Sequence, residues 1–425
     1  MTIKLTAAAE TDLVIKIAEG LDSTPLKNTF FGSGDLEWAD RLMADLPEDA
    51  RTKIERFVGE RGLSKFIQGE IRNDRSRQDR HQDLIQGRPI TQLKFISNSL
   101  PYARKLVATL KSIPIRYRLT VALPSIFSVP LIEEVQESIL LPSGINIAKG
   151  NALPQPLPVR SDVERVDRGL FHDWITGDAT PRALDPNRLY FSMPVNGYSS
   201  AGQSSSISRM LEDNLRAFYG AATAVSFMGH GWDEEKDKLP YIMIHDEMTR
   251  EILSTEPLED ELLERSSFCS TADFANKKKD DIWSAYQTTL KKIGTVFNDD
   301  VDCRRLYAAC IWFYRAKLNR RPLDALLQAT IAIEVMLGDR KAAEGIGLTN
   351  LLGSRCAYLL GRSSKHRNEI MTAFRKVYDL RSNVVHEGRH ILQSGDQGTV
   401  NRAMSLCAAI ISRELTIRAL PDPDA

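Results

Sequence analysis

Arg381 and His386, separated by Ser-Asn-Val-Val in the segment VYDLRSNVVHEG, form an R-x4-H spacing with complementary chemistry. Histidine titrates near ~6.5 and can give or take a proton at neutral pH. Arginine keeps its charge and offers a planar fork to phosphate oxygens. Such a pair suits metal-independent RNA cleavage, in which the 2′-hydroxyl attacks the adjacent phosphate and leaves a cyclic phosphate and a 5′-hydroxyl. The histidine would move the proton, and the arginine would stabilise the crowded phosphorane. Spacing alone does not single the pair out, because Arg75 to His81 and Arg165 to His172 fit the looser R-x(4 to 6)-H pattern. Those two fall in a mixed-charge run and in an irregular stretch after a proline-rich loop. Arg381 instead lies near the end of a long amphipathic pattern.

The elements that must hold this pair are legible as five amphipathic helices, at about 302–319, 322–337, 348–361, 365–387 and 397–418. Pro322 suits a first helical turn, and Gly338, Gly361 and Gly388 suit helix stops. Short connections between them predict a compact up-and-down bundle. Three of these helices place a charge on the face that should be dry. Arg381 lies in a stripe with Ile370, Phe374, Val377, Val384 and Val385; Glu334 lies among Leu323, Leu326, Leu327, Thr330 and Leu337; Arg355 is in line with Leu348, Leu351 and Tyr358. A buried charge costs several kcal/mol unless paired, so the pattern predicts a structural Glu334–Arg355 ion pair. Arg381 is then the cation left over, suited to a cleft or a subunit interface. Residues five apart on a helix diverge by about 140°, so Arg381 and His386 of one chain do not aim at one spot. Two copies meeting about a twofold axis would bring both pairs into one cleft.

The preceding chain reads as a helical region, 1–86, followed by an α+β region, 87–295, with strands at about 117–123, 188–193, 222–227 and 241–245 and a helix at 206–219. The expected fold is thus α-rich and multidomain, a mixed α+β N-terminal part followed by an all-α bundle over 296–425. An acidic stretch, Glu256 to Glu264, precedes the bundle and is a candidate cover for a basic groove. Formal net charge is zero, but residues 51–80 carry nine Lys/Arg against five Asp/Glu, and 296–425 carry nineteen against fourteen, which suits a polyanionic partner. Five scattered cysteines without a CxxC pair predict free thiols in a reducing cytoplasm. The start has no apolar signal core, and the longest uncharged apolar run, Leu119 to Ile132, is short and holds two prolines, so no membrane span is expected. The histidines make no H-x-H or H-E-x-x-H pair, and His172-Asp173 and His245-Asp246 read as surface dipeptides. Neither a Walker A loop nor a dinucleotide Gly-rich turn is present, so no metal or cofactor is implied.

The strings ATIAIEVMLG (329–338), SRCAYLLG (354–361) and VYDLRSNVVHEG, in that order, resemble the Apea-like HEPN family over about residues 300–420. The resemblance implies an HEPN helical bundle with Arg381 and His386 as catalytic pair, Ser382 and Asn383 as the polar residues behind the arginine, and Glu334 and Arg355 as framework positions. Glu387, between His386 and Gly388, departs from the family's direct His-Gly ending and supplies a carboxylate that would raise or orient the histidine. The family further implies a homodimer, an RNA substrate such as tRNA or mRNA, and a role in prokaryotic antiviral defence or growth arrest. The N-terminal region would then be the sensor of an unidentified trigger, restraining the nuclease. The alternative is a non-catalytic HEPN bundle that dimerises or binds a nucleotide.

Overall fold

The computed structural model describes residues 2–25, 36–76, 89–93, 96–124, 138–153, 184, 188–199, 206–230, 241–248, 252–259, 261–262, 269–271, 279–393 and 395–419. The Arg165–His172 spacing, His81 and His172 lie outside them. Five helices come first: α1 (Ala7–Ser23), α2 (Glu37–Leu42), α3 (Glu48–Val58), α4 (Gly62–Ser76) and α5 (Ser99–Ser112). They close around their own apolar core, which includes Ile17, Leu21, Ile54, Phe66, Leu106 and Ile113. That core runs on to Ile113, well past the boundary near residue 86 drawn from the sequence, because α5 packs on α1 and the Ile3 amide donates to the Ile113 carbonyl at 3.0 Å. Tyr198 belongs to it too, its hydroxyl donating to Glu70 at 2.9 Å and so tying the end of a sheet strand to α4.

An antiparallel sheet follows, with β1 (Ile115–Ala122), β2 (Ile139–Leu140), β3 (Asn146–Lys149), β4 (Leu189–Gly197), α6 (Ser206–Ala224), β5 (Met228–His230), β6 (Tyr241–Asp246), β7 (Ile252–Pro257) and β8 (Cys269–Thr271) in chain order. Six strands pair in the order β2-β3-β4-β1-β6-β7, while β5 and β8 pair separately. The expected strand at 222–227 is not there, since α6 continues through Ala224. Its alanines favour helix, and they are buried against the core. Ser226 then takes φ 56, and the Phe227 amide donates back to the Ala222 carbonyl at 2.9 Å, a left-handed helix stop.

The remainder is helical: α7 (Lys279–Gly294), α8 (Val301–Leu318), α9 (Pro322–Leu337), the short α10 (Arg340–Ala343), α11 (Leu348–Leu360), α12 (Ser364–His386) and α13 (Asp396–Arg418). Asp300 caps α8 by accepting from the Cys303 amide at 2.7 Å, and Ser363 caps α12 through the His366 amide. The five helices drawn from periodicity therefore exist within a residue or two of their expected ends, and the whole is α-rich with a small antiparallel sheet. No described helix is long and apolar enough to cross a membrane.

Sheet and helices share one core. Alternate residues of β1, Tyr117, Leu119 and Val121, enter the same core as α6, whose Phe218 sits 5.7 Å edge-to-face from Phe191 of β4; Phe191 in turn meets Phe297, just ahead of α8. On its other side α6 crosses α8 so closely that a Cβ at Gly220 would lie 2.1 Å from the Cys310 carbonyl oxygen. No boundary near residue 295 is visible in this core, which runs from β1 to α13. Replacing Gly220 by Ala should drive the two backbones apart and destabilise by about 1–3 kcal/mol, as overpacking does. A denaturant midpoint unchanged by Gly220→Ala would show the crossing to be loose.

The opposite face of the sheet carries a buried histidine. His245, expected at the surface, is 4% exposed, and neither ring nitrogen has a hydrogen-bond partner. It sits on β6 directly opposite Arg118 of β1. Burial, helped by the Arg118 charge, pushes its pKa down to about 4. The folded state thus disfavours the proton that an unfolded chain binds near ~6.5, so stability is full above that value and falls as pH drops toward 4. His245→Gln should flatten the stability profile between about pH 6.5 and 4. Urea titrations at several pH values check this, and an identical slope in both proteins would refute it.

Candidate functional site

Helix α12 meets α9 through one carboxylate. Tyr378 and Arg381, three residues apart and so on one face of α12, both reach Glu334 on α9. The Tyr378 hydroxyl donates to Glu334 Oε1 at 2.7 Å, and Arg381 Nη2 lies 3.4 Å from the same oxygen. Phe374, one turn earlier, stacks on Tyr378 with ring centroids 4.7 Å apart and sets the phenol's direction. Burial, then the bond to Glu334, holds the Tyr378 hydroxyl well above its ordinary pKa, so it stays a donor. The Arg381 and Glu334 side chains are 27% and 24% exposed, which places the pair at the lip of the bundle.

The expected Glu334–Arg355 pair is therefore replaced by another arrangement. Arg355 on α11 donates from Nη1 to the Leu337 carbonyl at 2.6 Å and lies 3.6 Å from Asp339. It caps the C-terminal end of α9, where carbonyls lack helical partners and a cation is favoured. Asp339 accepts from the Lys341 and Ala342 amides, and these bonds hold its carboxyl below the usual range. Helical projection reports a residue's face but not its height, and Arg355 reaches the end of α9 above Glu334. Tyr378, the second partner of Glu334, was missed by the sequence reading. Its signal was the i, i+3 spacing to Arg381 inside VYDLR.

The structure treats Arg381 and His386 differently. His386 is the last residue of α12 and exposed, and no described residue makes a hydrogen bond or ion pair with its imidazole, Arg381 and Glu387 included. Ser382 is exposed, and Val385, expected in the apolar stripe, is 46% exposed because α12 has passed the end of its neighbours' cover. Asn383 is half-buried, and its carbonyl accepts the Glu387 and Arg389 amides around Gly388, whose φ of 67 reverses the chain. Glu387 is exposed and takes the C-cap. Beyond the turn, Arg389 pairs with Asp396, which also accepts the Gln393 amide at 2.6 Å, so the connection to α13 is pinned beside His386. One chain thus offers a cation held in place and, about 7.5 Å further along the helix, a solvent-facing imidazole.

The described part of the acidic stretch lies elsewhere. Glu259 pairs with the buried Arg216 of α6, Glu261 lies 3.7 Å from the same guanidinium, and the Glu259 amide donates to Glu212 at 2.8 Å. Glu261 borders a cavity at the α8–α9 turn with Leu318 and Asn319. Glu334 lies twelve residues along α9 from Pro322, about 18 Å away, so these carboxylates do not cover Arg381.

The chain matches no family model, no curated protein and no solved structure. The resemblance over residues 300–420 accordingly stands on the motif residues themselves.

A double-mutant cycle separates the two charge arrangements. Glu334 and Arg381 should couple by about 1 kcal/mol, whereas Glu334 and Arg355 should be additive within a few tenths. Glu334→Ala alone also leaves the Tyr378 hydroxyl without its acceptor, for a loss of about 1–3 kcal/mol. Strong coupling between Glu334 and Arg355 in urea unfolding would restore the pairing drawn from sequence.

Proposed function

We propose that this protein is a metal-independent endoribonuclease of the HEPN type, with Arg381 stabilising the phosphorane and His386 moving the proton. The observation that carries the reading is the contrast at the end of α12: a guanidinium paired with Glu334, which Tyr378 holds by a hydrogen bond, followed by an exposed histidine just ahead of a pinned turn. A fixed cation needs no reorganisation as charge develops on phosphorus. An accessible imidazole can reach a 2′-hydroxyl or a leaving oxygen. The two side chains of one chain diverge, so the working cleft would be completed by a second copy, with the α12 ends facing each other across a twofold axis. Its substrate would be tRNA or mRNA, its setting growth arrest or antiviral defence, and its trigger would act at the N-terminal part. Since the sheet and α6 of that part share their core with the bundle, control would pass through packing at the α6–α8 crossing and not through a detachable cover. A fragment of residues 296–425 would bare the α8 surface that α6 buries, so control has to be tested in the full chain.

Among the described residues of one chain His386 has no orienting partner, which favours the second reading, a bundle that dimerises without cutting. One assay divides the two. Arg381→Ala and His386→Ala should each lower RNA cleavage in EDTA by about 10²- to 10⁴-fold without changing helix content. Mixed dimers of the two variants should recover part of the activity, because one of their two half-sites keeps both side chains. Wild-type protein that leaves tRNA and mRNA intact, in cells and in vitro, would leave the non-catalytic bundle standing, as would full cleavage by the double variant.

A further inference from the structure

Helix α12 overhangs the bundle at the end that carries His386. Leu380 is its last buried residue, and the chain runs on through His386 for about 9 Å of helix. Over that length Val384 alone packs on the apolar core, and Val385 is 46% exposed. A terminal turn with so little apolar cover frays, so the order of this one has to come from polar contacts beyond it. Those contacts converge on Arg389. Its amide and that of Glu387 donate to the Asn383 carbonyl, at 3.3 and 3.1 Å, and close the last turn of α12 ahead of the reversal at Gly388. Its guanidinium pairs with Asp396 and donates from Nε to the Ile391 carbonyl at 3.4 Å.

Asp396 stands in the first turn of α13, where amides without helical partners favour an anion, and it also accepts the Gln393 amide at 2.6 Å. The Arg389 and Asp396 side chains are only 17% and 16% exposed, so salt screens their pair weakly. Helix α13 is itself fixed in the core by Val400, Ala403 and Cys407. A chain of contacts thus runs from α13 through Asp396 and Arg389 to the Asn383 carbonyl, which lies between Arg381 and His386. From this we infer that Arg389 and Asp396 are positioning residues: their ion pair clasps the last turn of α12 and so fixes His386 at its offset from Arg381. The clasp acts through the backbone, since neither residue bonds to the Arg381 or His386 side chain among the described contacts. Its importance for cleavage rests on the ribonuclease reading above, whereas its hold on the helix end does not.

Two measurements on the full chain separate these claims. Amide hydrogen exchange between Val384 and Arg389 should quicken by about tenfold or more in Asp396→Ala and in Arg389→Ala, with α9 unchanged and Arg389→Lys falling between. RNA cleavage in EDTA should lose about 10- to 100-fold in kcat in the same two variants with KM little changed, as for a displaced catalytic group, and Arg389→Lys should recover part of it. The histidine limb of the pH profile should stay where it is, because position and not charge is altered. Wild-type exchange rates in both alanine variants would overturn the clasp. A loss confined to Arg389→Ala and expressed in KM would make Arg389 an RNA contact, and a moved pH limb would make it a tuner of the imidazole; either result overturns the positioning role. So would faster exchange with unimpaired cleavage beside an inactive His386→Ala, which leaves the ribonuclease reading intact. Should the wild type leave RNA uncut, that reading falls, and the exchange rates alone uphold or overturn the clasp.

Discussion

Helix α6 has to be buried on both sides, and the rest of the structure is arranged around that constraint. Its aromatic face fills the sheet, where Phe218 meets Phe191, while its glycine at 220 lets the backbone of α8 come to van der Waals contact. Few side chains could stand there, because the obstacle is a main-chain carbonyl that cannot rotate away. The crossing makes sheet and bundle one cooperative body, so a change felt by the sheet reaches α8 through packed atoms. The first five helices contribute a separate core, joined to the sheet through Tyr198.

Charges inside this body are handled locally. Arg216 is 3% exposed and is neutralised by carboxylates that approach it from its own helix and from the segment after β7. Glu334 serves a phenol and a guanidinium with one oxygen, and Arg355 finds a carbonyl and Asp339 at a helix end. Each solution replaces lost hydration by hydrogen bonds of fixed direction, the condition for a charge to stay at the edge of an apolar core. His245 is the exception. It avoids the cost by remaining neutral, which its unpartnered ring nitrogens and depressed pKa both reflect.

Helix α9 carries a different polar cluster at each end. Near its C-terminus, Glu334 steadies Arg381; near its N-terminus, Gln328 joins Asn319 and the Trp312–Arg315 pair around the cavity. The helix between them is apolar and packed, with Leu326, Ala329, Ala332 and Ile333 fully buried.

Local pattern alone determined the helices of the C-terminal part, because caps, proline starts, glycine stops and apolar spacing are all properties of neighbouring residues. It also put Arg381 and Glu334 on apolar stripes, though as a leftover cation and a partner of Arg355 and not as each other's partner, and it marked three strands of the sheet, β1, β4 and β6. Tertiary structure decided the rest. Which charge meets which depends on the heights and tilts of packed helices, so Glu334 went to Tyr378 and Arg381 while Arg355 went to the end of α9. Whether residues 222–224 extend a helix or open a strand depended on the core that α6 enters, since short apolar runs suit either state. The burial of His245 and the gathering of Glu261, Trp312, Arg315 and Gln328 around one cavity were invisible in the chain for the same reason. Residues far apart in sequence acquire a common environment only when long-range packing sets their distance, and no local period encodes that distance.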